Sequence, residues 1–189
     1  MKKIFYLFVL FVSTQMFSQN IESLKTKANQ AYKASAEMDF DKILELTYPK
    51  LFSIMPKESL KEIIKQTFEG NPEFKIKMIA VEPNFNFSEI KKIDGQTFCV
   101  IKHNNALEMV FTNKISDPNA VTDLFKSSMK ADDVTYNAEK NSILIKLIST
   151  MIAVADDSTK NEWTFLNNDN DGQLMTLLFS EKIKKELGL

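Results

Sequence analysis

The apolar residues change period at Gly70. Before it they recur every three or four residues, which is one face of a helix. After it they alternate in twos, which is one face of a strand. Helices followed by strands, without regular alternation, give an α+β fold and not a parallel sheet.

Residues Ile21–Met38 place Ile21, Leu24, Ala28, Ala31 and Ser35 on one helical face, with Asn20 able to cap the start. A second helix after Asp39 carries Phe40, Ile43, Leu44, Thr47 and Tyr48. Pro49 predicts a kink or a fresh helix start, with Leu51, Phe52 and Met55 continuing the apolar face. Pro56 opens a third helix, Leu60, Ile63, Ile64 and Phe68 form its stripe, and Gly70 ends it.

"FKIKMIAVE" then reads as a strand closed by Pro83, and "FNFSEIKKI" as a second. Asp94-Gly95 is a two-residue hairpin signal leading into "QTFCVIKH". Asn104-Asn105 predicts another turn before "ALEMVFTN". Asp117-Pro118 starts a short helix with Val121, Leu124, Phe125 and Met129 on one side. A hairpin turning near Glu139–Asn141 feeds the long apolar strand that ends at Ala155, and "NEWTFLN" is the last strand. "LMTLLF" and a helix capped by Ser180, with Ile183 and Leu187 facing inward, close the chain.

The first residues, "MKKIFYLFVLFVSTQMFSQN", have the layout of a secretory signal peptide: two lysines, a short apolar run, then small and polar residues. Residues 1–18 are read as that signal and 19–189 as a single domain, exported to the periplasm or beyond. An uncleaved anchor or a buried first helix is the alternative. The run is shorter than the ~20 apolar residues of a permanent span, and no later segment supplies one. No cysteine follows it to take a lipid.

All 24 basic residues are lysine, and the net charge of −1 moves near −3 once Lys2 and Lys3 are removed. Without arginine forks or a basic excess, nucleic acid is not an expected partner. Cys99 is the only cysteine, so the core must be held by packing, and in "TFCVIK" it reads as a buried strand residue.

Few residues suggest chemistry. "NNDNDG" puts Asn167, Asp169 and Asp171 at alternate positions before Gly172, like the start of a calcium loop. The twelfth position is Leu178, where a carboxylate is needed, so the segment reads as a turn. His103 is the only histidine, too few for zinc with one cysteine, and is read as a partly exposed hairpin residue. Asp132-Asp133 and Asp156-Asp157 are read as solvated loop charge, and Lys57, Lys61 and Lys65 as a solvated helix face. There is no glycine-rich phosphate loop and no nucleophile elbow. No cofactor and no metal are expected.

Two segments carry a family likeness. "MDFDKILELTYPKLFSIMPKESLKEIIKQTF" and "EWTFLN…LMTLLFSEKIKKEL" resemble exported NTF2-like proteins of the Bacteroidetes, whose helical segment carries a Tyr-Pro-Lys step. The chain departs from that pattern at "IMPKES", at "FSEKI" and in its helix near Asp117–Met129. The resemblance implies helices packed on a curved antiparallel sheet, a cone closed by a C-terminal helix. It implies a non-catalytic binding or assembly module for a small apolar ligand or a protein partner. Tyr48, Phe52, Trp163 and His103 are then candidates for the cavity wall. The alternative is an isomerase or dehydratase, as in other members of the superfamily. A buried aspartate or His103 within ~3 Å of a tyrosine hydroxyl would favour that reading. A third option is a homodimer through the sheet face, which an exposed apolar patch there would support.

Overall fold

Two long antiparallel strands organise the protein. The computed structural model describes residues 21–168 and 172–189. The signal peptide reading, the Asn20 cap and the middle of "NNDNDG" lie outside the described residues.

Helix α1 spans 21–37. Met38, at φ 55°, ends it, and the Asp39 carboxylate accepts from the Lys42 amide to start α2 (Phe40–Leu46). Pro49 begins a 3-10 turn (Pro49–Ser53), so it acts as a fresh start. Helix α3 (Lys57–Glu69) follows with Pro56 as its cap residue and Gly70 after its end.

The strands are β1 (Phe74–Met78), β2 (Asn86–Phe87), β3 (Lys91–Ile93), β4 (Gln96–Phe111), β5 (Asp133–Asn137), β6 (Ser142–Ala155) and β7 (Thr164–Asn167). All pair antiparallel in one open sheet. β4 and β6 pair without a break from Thr97 opposite Ala155 to Val110 opposite Ser142. The outer edge of β4 takes β3, β2 and β1 in turn, and that of β6 takes β7 and β5.

The turn expected at Asn104-Asn105 is absent: these residues lie inside β4 and neither has a positive φ. Each finds a partner that a turn would forfeit. The Asn104 amide donates to the Pro83 carbonyl at 2.7 Å, and Asn105 Nδ2 to Ser149 Oγ at 3.1 Å. The long continuous strand β6, rich in β-branched residues, offers a full-length template, and pairing with it outweighs the turn preference of asparagine.

The second expected strand is split instead. Phe87 faces Ile101 and Lys91 faces Phe98, so four steps on one side meet three on the other. The extra residue is a bulge. Ser88 fills it, its hydroxyl accepting from the Val100 amide at 2.9 Å. The Asp94-Gly95 hairpin forms as expected, with φ 51° and 83° in its two-residue loop.

Helix α4 (Pro118–Ser128) starts at Asp117, whose carboxylate accepts from the Ala120 amide at 3.0 Å. Val121, Phe125 and Met129 pack on the sheet, but Leu124, expected beside them, is 61% exposed. Ile63 of α3 is likewise 47% exposed, because that helix packs on α2 and on β1 at the sheet edge and has no fully buried residue. The chain ends with α5 (Gln173–Leu178) and α6 (Glu181–Leu187), the latter capped by Ser180.

Alternation sorts the core. On one sheet face Cys99, Ile101, Met151, Ala153 and Phe165 pack under Leu24 and Ala28 of α1. Farther along that face, Met109, Ile143 and Ile145 pack under α4. On the opposite face Phe98, Ile152 and Val154 pack against Tyr48, Leu51, Met175, Phe179 and Ile183. The remainder of the opposite face is uncovered and mixed, with exposed Lys102, Lys146 and Ile148. Among the described residues no helix is long and apolar enough to cross a membrane.

Candidate functional site

Asp156, expected in solvent from the sequence, is instead the most connected polar group among the described residues. It is buried at the end of β6. One carboxylate oxygen accepts from the Ser158 and Thr159 amides, at 2.9 and 3.3 Å, and from the Ser158 hydroxyl. The other takes the Tyr48 hydroxyl at 2.7 Å, Gln96 Nε2 at 2.9 Å and Lys50 Nζ at 3.1 Å. Burial works to raise this carboxyl's pKa. The hydrogen bonds from Ser158, Tyr48, Gln96 and Lys50 outweigh it and hold the group well below the usual carboxylate range.

Tyr48 is placed by its backbone. Its amide donates to the Phe165 carbonyl at 3.0 Å, and its ring stacks on Phe179. Burial raises its phenol pKa, so the hydroxyl keeps its proton and donates it to Asp156. Gln96 also donates to the Tyr48 oxygen at 2.7 Å. The cluster ties the Tyr-Pro-Lys step to the start of β4 and the end of β6. A signal for it was present in "DDST", where an aspartate precedes hydroxyl residues at capping distance.

A second polar place lies on the α1 side of the sheet. His103 is buried within β4 and shares the inward parity of Cys99 and Ile101, so it is not a hairpin residue. Tyr32 and Phe85 meet its ring at 5.6 and 5.7 Å between centroids. Tyr32 is held by its hydroxyl, which donates to the Val81 carbonyl at 2.6 Å. Burial lowers the imidazole pKa, against the pull of the Asn104 carbonyl 3.0 Å from Nδ1. A carbonyl only accepts, so Nδ1 carries the hydrogen and Nε2 keeps a lone pair.

Ser149 stands directly opposite His103 in the ladder. Asn105, two residues along, donates to the Ser149 hydroxyl oxygen, while its own Oδ1 is buried without a hydrogen-bond partner. Asn105, Leu107, Leu147 and Ser149 are only half-buried although they lie on the two central strands. The cover of this face is therefore thinner between the α1 core and the α4 core.

The four residues expected together are dispersed. Tyr48 lies in the core on one face, while Trp163 lies in the α1 core on the other. His103 lies beyond the α1 core, and half-buried Phe52 sits with its ring 5.8 Å from Lys57 Nζ. A groove of about 340 Å3 between α3 and β1, lined by Ile63, Thr67, Gly70, Phe74 and Ile76 among others, contains none of them. Cys99 is fully buried, and burial pushes its thiol pKa up. Among the described residues no group of three or more His, Cys, Asp and Glu is placed to hold a metal.

These observations define an α+β protein built on one open antiparallel sheet, with a buried carboxylate network on one face and a histidine-bearing polar gap on the other. No protein-family model matches the chain, and no curated protein is significantly similar to it in sequence.

Proposed function

We propose that the chain is an exported, non-catalytic binding module of the NTF2-like kind, holding a small apolar ligand over the gap beside His103. The observation that carries this reading is the half-burial of Leu107, Leu147, Asn105 and Ser149 at the centre of an otherwise covered sheet face. Apolar floor, aromatic wall and a few fixed polar atoms are the composition of a small-molecule site. The order of helices, sheet and terminal helices is consistent with the NTF2-like resemblance. The mixed character of the uncovered face, with Lys102 and Lys146 beside Ile148, gives less support to a dimer through the sheet.

The enzymatic reading has one observation in its favour, the Tyr48 hydroxyl at 2.7 Å from buried Asp156. Its chemistry argues the other way. Each oxygen of Asp156 already receives three protein donors, and the Tyr48 oxygen both donates and accepts. A base needs a free lone pair and a pKa near the working pH. This carboxylate has neither, so the network serves to hold elements together.

Native mass spectrometry of the mature protein purified from its host tests the proposal. A monomer carrying a non-covalent mass that is lost on denaturation is expected. A bare dimer would replace the binding reading with assembly, and a bare monomer would remove it.

A further inference from the structure

The polar atoms at the gap have a defined sense. His103 Nε2 has no protein partner among the described residues, and the Nδ1 hydrogen bond makes it an acceptor. The Ser149 oxygen is occupied by the Asn105 amide, so its hydrogen is turned away from Asn105 and has no acceptor among the described residues. The two residues are direct cross-strand neighbours, with Cβ atoms about 5 Å apart by sheet geometry. An acceptor and a donor thus stand side by side. The inward positions flanking them on β4 and β6 are Ile101, Asn105, Leu107, Leu147 and Met151, none of them charged. Nothing there would compensate a ligand charge.

Asn105 supplies an independent sign. Its amide is held by Ser149 although this leaves Oδ1 buried and unpaired. Such an orphan costs stability, and native proteins keep few of them without a use. Here the use is to orient the Ser149 hydroxyl.

We infer that His103 and Ser149 form a donor–acceptor pair that takes a small neutral molecule through a single hydroxyl or primary-amide edge, with Asn105 as the positioning residue. The inference rests on the binding reading above and adds the chemistry of the ligand. A hydroxyl or an amide edge donates to Nε2 and accepts from Ser149 at once. An ether or a carboxylate cannot donate, and an ammonium cannot accept.

The test uses the single imidazole of the protein, whose nitrogen signals need no assignment by mutagenesis. In the free protein the nitrogen spectrum is expected to show Nδ1 protonated and Nε2 bare; the reverse tautomer overturns the inference. Benzyl alcohol and benzamide are then titrated against benzyl methyl ether, N,N-dimethylbenzamide, benzoate and benzylammonium. The alcohol and primary amide are expected to shift Nε2 and to bind about tenfold tighter than their methylated or charged counterparts, about the net worth of one hydrogen bond. Ser149→Ala should erase that ratio. Asn105→Leu should also lower it toward one while leaving thermal stability equal or higher, a combination that a purely structural asparagine does not give. Equal binding of alcohol and ether would overturn the donor–acceptor pair and leave an apolar site intact. Failure of every probe to move the imidazole at tens of millimolar would remove the binding reading as well.

Discussion

Replacing Asp156 with asparagine keeps the shape of the side chain and removes its charge and one acceptor oxygen. If the remaining oxygen continues to cap Ser158 and Thr159, the new amide faces the Gln96 amide, Lys50 and the Tyr48 hydroxyl. Tyr48 can turn to accept. Lys50 cannot, Gln96 could do so only by turning its amide over, and as placed both lose their carboxylate. Lys50 is half exposed, so water replaces much of its loss and its share is small. The strained pairs are then Tyr48 and Gln96, each a hydrogen bond to a buried charged group worth about 1.5–3 kcal/mol. Allowing for the partial recovery at Tyr48, the expected destabilisation is about 3 kcal/mol. Urea unfolding followed by the fluorescence of Trp163, the only tryptophan and a buried one, measures it directly. The slope should stay unchanged while the midpoint falls. The effect should also depend on pH. Because the folded carboxyl is held well below its unfolded value of about 3.9, its contribution is complete above about pH 5 and fades progressively as pH falls below that toward the depressed folded value. A difference under about 0.5 kcal/mol at neutral pH, the range of ordinary surface changes, would refute the account of this network.

Three further outcomes follow from the same geometry. Gly70→Ala should cost more than about 2 kcal/mol in the same urea assay, since φ is +76° and a Cβ would sit 2.1 Å from the Phe74 carbonyl oxygen. Gly188→Ala, at positive φ but in open space, should cost roughly 1 kcal/mol, and equal losses would contradict the steric argument. His103 should titrate below the ordinary ~6.5 in a proton NMR experiment; the unfolded chain then binds the extra proton, and stability declines as pH falls below about 6.5. Cys99 should react with a thiol reagent only as fast as the protein opens, and immediate labelling of the native protein would show that its burial is wrong.

The helices were legible in the sequence because their signals are local. Asp39, Asp117 and Ser180 cap from within their own first turns, and Gly70 ends α3 through its own backbone angle. The Asp94-Gly95 hairpin is local in the same sense. The errors all arose where a distant partner decides. Asn104 and Asn105 carry turn propensity, yet Pro83 and Ser149 claim their polar groups, and β6 holds β4 straight through them. Asp156 looks solvated beside Asp157, and partners far away in sequence, Tyr48 at 108 positions and Gln96 at 60, enclose it. Helical spacing places Leu124 with the inward residues, but spacing alone does not tell how wide a face the sheet covers, and Leu124 is exposed. Of the candidate site, His103 stands out in the sequence as the single histidine. Ser149 and Asn105 were invisible, since their meaning comes from a register that the sequence does not print.

The uneven cover of the sheet has a consequence for motion. Helix α1 buries Leu24, Ala28 and Ala34 almost completely, whereas α4 has no fully buried residue. Both helices lie on the same two strands, so the backbone ladder is common property while the two covers are separate. Local opening follows the side with fewer buried contacts. Amide hydrogens of α4 should therefore exchange with solvent long before those of α1 or the β4–β6 ladder, and the gap beside His103 lies on the border between the slow half of the molecule and the fast one.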